Sequence, residues 1–275
     1  MTAAAALLAS VAWGVADFLG GIKSRVVPTL VVLLLAQVSG VLAISLVVAV
    51  AGNPPPGPSV LWASLAGVFG GLGLAAFYRG MAVGSISIVA PIAAVGAVVP
   101  VVFGIATGDD VSRLQLVGFA LALGGVAAAS FERQVGEVRI AAGVFWAIAA
   151  VIGFGGYYVP MHEASEQDFL WAALVFRCTV ALVALAAWLI LRPPFTAARG
   201  HLGAIAMIGI LDTAGNTLFA AASSLGDVSV VSVLSALYPV TTVALAAIVL
   251  SERLDRLQLA GVASALTGVV LISAA

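Results

Sequence analysis

Ten stretches of about twenty apolar residues follow one another along this chain with little more than a turn between them. They lie near 3–23, 28–51, 59–79, 85–107, 113–131, 138–160, 169–191, 201–222, 227–250 and 256–274. A helix of that length covers the hydrocarbon thickness of a bilayer. Only 8% of the residues are charged, against roughly a quarter in a soluble domain, so water is excluded as the main solvent. The expected fold is an all-α polytopic membrane protein of ten transmembrane helices, with the lipid bilayer as its surroundings. The connections are short and rich in breakers, as in Asn53-Pro54-Pro55-Pro56-Gly57-Pro58 and Arg192-Pro193-Pro194. None can hold a soluble domain, so function must lie among the helices.

Several classes of function drop out on composition and motif. The net charge of -1 offers no basic face for nucleic acid. One cysteine, Cys178, permits no internal disulfide and no cysteine-built metal site. His162 and His201 stand too far from other ligand types to suggest a metal. The nearest approach to a phosphate loop is Gly20-Gly21-Ile22-Lys23-Ser24, which lacks the glycine before lysine. No Gly-x-Ser-x-Gly and no His-Glu-x-x-His occurs. Neither enzymatic chemistry nor a cofactor is expected, and no ATPase subunit is evident. The N-terminus turns apolar without a charged leader region and is read as a retained first helix.

Charge then orients the helices. Lys23, Arg25, Arg79, Arg133, Arg139, Arg192, Arg199, Arg253 and Arg256 fall on one side, and only Arg113 on the other. Positive residues stay in the cytoplasm, which places both termini on the outer, periplasmic face of a bacterial-type inner membrane.

The chain also repeats itself. Residues 113–126 (RLQLVGFALALGGV) and 256–269 (RLQLAGVASALTGV) agree at ten of fourteen positions, 143 residues apart. Gly84-Ser-Ile-Ser-Ile-Val parallels Gly226-Asp-Val-Ser-Val-Val, and Trp13-Gly14 parallels Phe154-Gly155. The expected units are residues 1–135 and 136–275. Five spans is an odd number, so the second copy sits upside down relative to the first, around a central cavity. The basic loop after the first span (Lys23, Arg25) has an acidic counterpart (His162, Glu163, Glu166, Asp168), as inversion requires. Inverted repeats with a midplane site are the architecture of secondary transporters.

These residues carry a resemblance. Trp13-Gly14, Phe176-Arg177, Tyr238-Pro239, Leu250-Ser251-Glu252-Arg253-Leu254 and Leu257-Gln258-Leu259-Ala260-Gly261 together resemble the EamA family of the drug/metabolite transporter superfamily. The first half departs from that pattern: Asp109-Asp110 stands where the glutamate would be, and Gln37 at the position of Arg177. The resemblance implies a ten-helix exporter of small metabolites, many members being amino-acid exporters, without ATP.

Polar groups at membrane depth are expensive and become functional candidates. Asp17 lies one helical turn after Trp13, and its repeat mate Tyr158 one turn after Phe154. These four, with Tyr78 and Tyr238, either wall a cavity or fill space between helices. Tyr157 and Trp171, like Tyr238, fit an interfacial belt equally well. Asp212 and Asn216 lie one turn apart in the eighth span. Asp212 must pair with a cation, Arg177 being the deep one, or bind a proton and so couple transport to it. Pro91, Pro100 and Pro239 fall inside the fourth and ninth spans, which are repeat mates, and are expected to act as gating hinges. The function expected is export of small metabolites, amino acids first, by alternating access. An intramembrane enzyme or a passive channel is the alternative.

Overall fold

The computed structural model describes residues 2–53, 57–84, 86–129, 137–249 and 256–274. Pro54–Pro56, Arg133, Arg253 and the stretch 250–254, all used in the sequence reading, lie outside them. No strand occurs among the described residues. In a hydrocarbon solvent each backbone N–H and C=O needs a partner within its own segment, and helix is the local answer.

Each apolar run carries helix. The first three are α1 (Thr2–Lys23), α2 (Thr29–Ala51) and α3 (Ser59–Val83). The fourth is broken into α4 (Ile86–Ala94) and α5 (Val98–Thr107) by a 3₁₀ turn at Val95–Ala97. Then come α6 (Arg113–Ala129), α7 (Glu137–Ser165), α8 (Phe169–Leu191) and α9 (Leu202–Ser223). The ninth run is broken as well, into α10 (Val228–Ser235) and α11 (Tyr238–Val249), and α12 (Arg256–Ala274) closes the chain. Among the described residues seven helical stretches are long and apolar enough to cross a membrane, among them Val228–Val249; Ile92–Thr107 and Arg113–Gly125 are shorter apolar helices.

Helix ends follow local chemistry. Asp168 caps α8: its Oδ1 accepts from the backbone N–H of Leu170 at 2.9 Å and of Trp171 at 3.0 Å. Gly52, at φ 68°, ends α2 in a left-handed turn that a side chain would strain. Pro100 and Pro239 each stand in the first turn of the second piece of a broken span, where a missing N–H forfeits no helical bond. Pro91 lies inside α4.

Two boundaries differ from the sequence reading. α7 continues through Pro160 to Ser165, so His162 and Glu163 belong to a helix rather than to a loop. α3 continues to Val83, so Arg79 is exposed on a helix side rather than at its end.

The dominant helix pairs cross the middle of the sequence. α1 lies against α9 and α3 against α7; α2 against α8; α6 against α12. α2 also meets α9 and α3 meets α8, while α4 meets α7 and α11 meets α1. Small residues permit this closeness. A Cβ on Gly153 of α7 would lie 2.3 Å from the Cα of Gly73 on α3.

The two ends of the bundle differ in charge. At one, the Lys23 Nζ lies 3.5 Å from the His201 Nδ1, with Arg25, Arg192 and Arg199 exposed. At the other, the Asn53 side-chain amide donates to Asp168, and Asp109 Oδ2 accepts from the Ser229 backbone N–H at 3.1 Å. Asp227 is there too. Desolvation pushes its carboxyl above the ordinary carboxylate range; Asp109 and Asp110 push the same way, and His162 opposes them.

Candidate functional site

Arg177 is the centre from which the site is built. It projects from α8, is 1% exposed, and reaches across to two other helices. Its Nη1 donates to Asp212 Oδ2 on α9 at 2.6 Å and to Gln37 Oε1 on α2 at 2.8 Å. A guanidinium buried in this way needs an anion, because desolvating an unpaired charge costs several kcal/mol. The Phe176 ring supplies a further favourable contact, with Arg177 Cζ 5.5 Å from its centroid. Gly40 makes the crossing possible: a Cβ there would lie 3.1 Å from Arg177 Cδ and 2.4 Å from Thr213 Oγ1.

The network continues past the ion pair. Asn216, one turn after Asp212, donates from Nδ2 to the Asp212 carbonyl at 2.7 Å and to its Oδ1 at 3.2 Å. The Tyr157 hydroxyl of α7 donates to Asn216 Oδ1 at 2.9 Å. Four helices are thus tied by one line of polar contacts, Gln37–Arg177–Asp212–Asn216–Tyr157. Each member fixes the orientation of the next. Tyr157→Phe is expected to lower stability by about 1 kcal/mol through the lost buried bond, read as a fall in thermal midpoint with the fold unchanged by circular dichroism.

Arg177 Nε, Arg177 Nη2 and Gln37 Nε2 are buried donors without a hydrogen-bond partner among the described residues. Arg177 and Gln37 both line a cavity of about 500 Å³, its mouth included. Facing the same space is Asp17 of α1, 5% exposed, with no hydrogen-bond partner among the described residues. Trp13, Phe154, Tyr158 and Tyr238 complete an aromatic enclosure. Trp13 is wedged in place by Phe219, whose ring centroid lies 5.8 Å away, and by Gly215, where a Cβ would come within 2.5 Å of the indole.

Eight of the nine cavity candidates from the sequence therefore meet at one space: Trp13, Asp17, Phe154, Tyr158, Arg177, Asp212, Asn216 and Tyr238. The ninth does not. Tyr78 lies behind the wall, its ring against Gly20, and its hydroxyl finds no hydrogen-bond partner among the described residues. Of the belt candidates, Tyr157 and Tyr238 are buried at the cavity, whereas Trp171 is half-buried and donates to the Asn53 carbonyl at 3.4 Å. Gln37, Tyr157 and Phe176 belong to the wall without having been expected there. For Gln37 a signal existed, since it occupies the repeat position of Arg177. Pro100 and Pro239 sit at the two helix breaks, outside the lining residues, and Pro91 lies within α4. Among the described residues no group of His, Cys, Asp and Glu could hold a metal ion.

Comparison with known proteins adds three findings. The sequence model of the EamA-like transporter family matches residues 1–131 and again residues 141–274. A protein of known crystal structure is similar in fold, with a TM-score of 0.79 over 98% of this chain and 94% of that one, at 16% identity. No curated protein matches the sequence.

Proposed function

The chain belongs to the EamA-like transporter family, membrane carriers of small solutes, and from that premise we propose that it exports small metabolites by alternating access, amino acids with apolar or aromatic side chains first among them. The single observation that carries this reading is the chemistry of the cavity. One space is lined by a carboxyl group that makes no hydrogen bond among the described residues, by a buried guanidinium with donors unpartnered among them, and by aromatic walls. A zwitterion matches it end for end. Its ammonium goes to Asp17 and its carboxylate to Arg177 Nε and Nη2 and to Gln37 Nε2, as charge-assisted bonds. Its side chain lies against Trp13, Phe154, Tyr158 and Tyr238.

The carrier mechanism is ten spans arranged as two inverted repeats, residues 1–135 and 136–275. Supporting it, pairs recur with the halves exchanged: α1–α9 with α3–α7, and α2–α9 with α3–α8. The termini lie outside and the basic end faces the cytoplasm of a bacterial-type inner membrane. The breaks beside Pro100 and Pro239, and Pro91 within α4, supply the hinges. Asp212 is already neutralised by Arg177, which leaves Asp17 as the group to carry a coupling proton.

The test is uptake of labelled phenylalanine and other amino acids into liposomes holding the purified protein, with and without a proton gradient. Saturable uptake accelerated by unlabelled amino acid on the far side is the expected result. Uptake that never saturates would indicate a channel instead, and no uptake of any amino acid would overturn the substrate class. Asp17→Asn is expected to cut the uptake rate by about tenfold or more, and to abolish its response to the gradient, with the thermal midpoint unmoved.

A further inference from the structure

α10 carries a file of hydroxyls that the proposed cavity does not use. Ser229, Ser232 and Ser235 follow one another at three-residue spacing, each 0% exposed and none with a hydrogen-bond partner for its side chain among the described residues. Neighbours at this spacing lie on one helix face. Buried hydroxyls are ordinarily paired, because burial without a bond costs free energy. Three in succession on one short helix point to a partner supplied in another conformation.

The file has two defined ends. Three residues beyond Ser235 stands Tyr238, whose side chain lines the cavity and whose hydroxyl donates to the Ala90 carbonyl at 3.4 Å. At the other end, Asp109 reaches over from just past α5 and accepts from the Ser229 backbone N–H. α10 has no side-chain cap of its own, although Asp227 holds its N-cap position. Its cap therefore comes from the connection that follows α5. Gly104 of α5 leaves the room: a Cβ there would lie 2.1 Å from Asp109 Oδ2 and 3.1 Å from Val228 Cγ1. At the same end, the Ser223 hydroxyl closing α9 is also buried and unpartnered among the described residues.

We propose that Ser229, Ser232 and Ser235 line a hydrated route between the acidic end of the bundle and the cavity, shut here by the contact of α10 with α5 and latched by Asp109. Opening lets water satisfy the hydroxyls; closing sheds that water and holds α10 by a single capping bond in its place. The route rests on the alternating-access reading, since it is one of the two accesses that such a carrier needs. It does not depend on the substrate.

The probe is a cationic, membrane-impermeant methanethiosulfonate reagent acting on the full-length protein in lipid nanodiscs. Cys178→Ser provides a cysteine-free background. Ser229→Cys, Ser232→Cys and Ser235→Cys are then made singly, with Val231→Cys and Val233→Cys as equally buried controls on the same helix. The three serine positions should react about tenfold or more faster than the valine positions, because they face the route whenever it opens. Adding Asp109→Ala should speed the reaction at residue 232 by about fivefold, the shift that loss of one capping bond gives. Equal reactivity at serine and valine positions, or an Asp109→Ala variant that changes nothing, would overturn the proposal. Labelled phenylalanine counterflow with the same variants reconstituted in liposomes keeps the two readings separate. A reactive file without counterflow removes the substrate and keeps the route; counterflow with an inert file removes the route and keeps the carrier.

Discussion

Replacing Arg177 with methionine will cost the folded protein about 3–5 kcal/mol, because it strands Asp212 as an unpaired anion between helices. The contact at stake is the 2.6 Å ion pair of two side chains that are 1% and 9% exposed. Most of that loss is the penalty of the abandoned charge rather than the worth of the pair. The double variant Arg177→Met with Asp212→Leu should therefore recover the greater part of it, since two apolar groups of similar volume need no compensation. Thermal midpoints in one detergent measure both. Uptake should behave differently and stay lost in the double variant, because the guanidinium is also the proposed carboxylate site. A double variant as unstable as the single one would mean that Gln37 and Asn216, not the charges, hold α2, α8 and α9 together.

Gly209→Ala should be comparably severe, at about 3 kcal/mol, for a steric reason. A Cβ at that position would lie 1.9 Å from the Ala36 carbonyl oxygen and 2.2 Å from Ser39 Oγ. Both belong to α2, and a backbone carbonyl cannot rotate away, so α2 and α9 must part. Parting them breaks the bond from Ser39 Oγ to the Ala206 carbonyl, 3.1 Å long. It also carries Gln37 away from Arg177. Gly203→Ala in the first turn of the same helix is the control, since nothing lies within 4 Å of its Cβ. It should leave stability unchanged or raise it by up to about 1 kcal/mol. Equal effects of the two substitutions would show that contact between α2 and α9 does not limit stability.

Much of the fold could be read along the chain because lipid leaves few options: an apolar run must satisfy its own backbone, and helix does so. The breaks near Val95–Ala97 and before Tyr238 were foreshadowed by Pro100 and Pro239. What did not follow was position within a helix cross-section. Tyr78 and Tyr158 look alike in sequence, each an aromatic in a repeat-related span. Only the second reaches the cavity, because Gly20 receives the ring of the first on the far side. Tyr157 presents the opposite case. It reads as a belt residue by type, but α7 turns it inward to Asn216. The Arg177–Asp212 pair was readable because two opposite charges at membrane depth have few partners, whereas a neutral amide such as Gln37 signals only through its repeat position. The sixth apolar run ends at residue 160, but α7 goes on through Pro160 to Ser165, because a helix tolerates a proline where neighbouring groups satisfy the carbonyl it frees.

The exchange of helices between the two parts of the chain has a consequence for biosynthesis. α1, α2, α3 and α6 find their principal neighbours in α9, α8, α7 and α12, all of them made later. A ribosome that has delivered α1–α6 has released helices in which Gly40, Gly67, Gly73 and Gly118 have nothing yet to meet. The first part must therefore wait in the bilayer as a loose raft, open to quality-control proteases, until α7 arrives to claim α3. Trp13 has a longer wait still, for Gly215, some two hundred residues downstream. The vulnerable moment in the life of this protein is thus the interval before its second half is inserted, and stopping synthesis after α6 should yield a fragment that is degraded rather than stored.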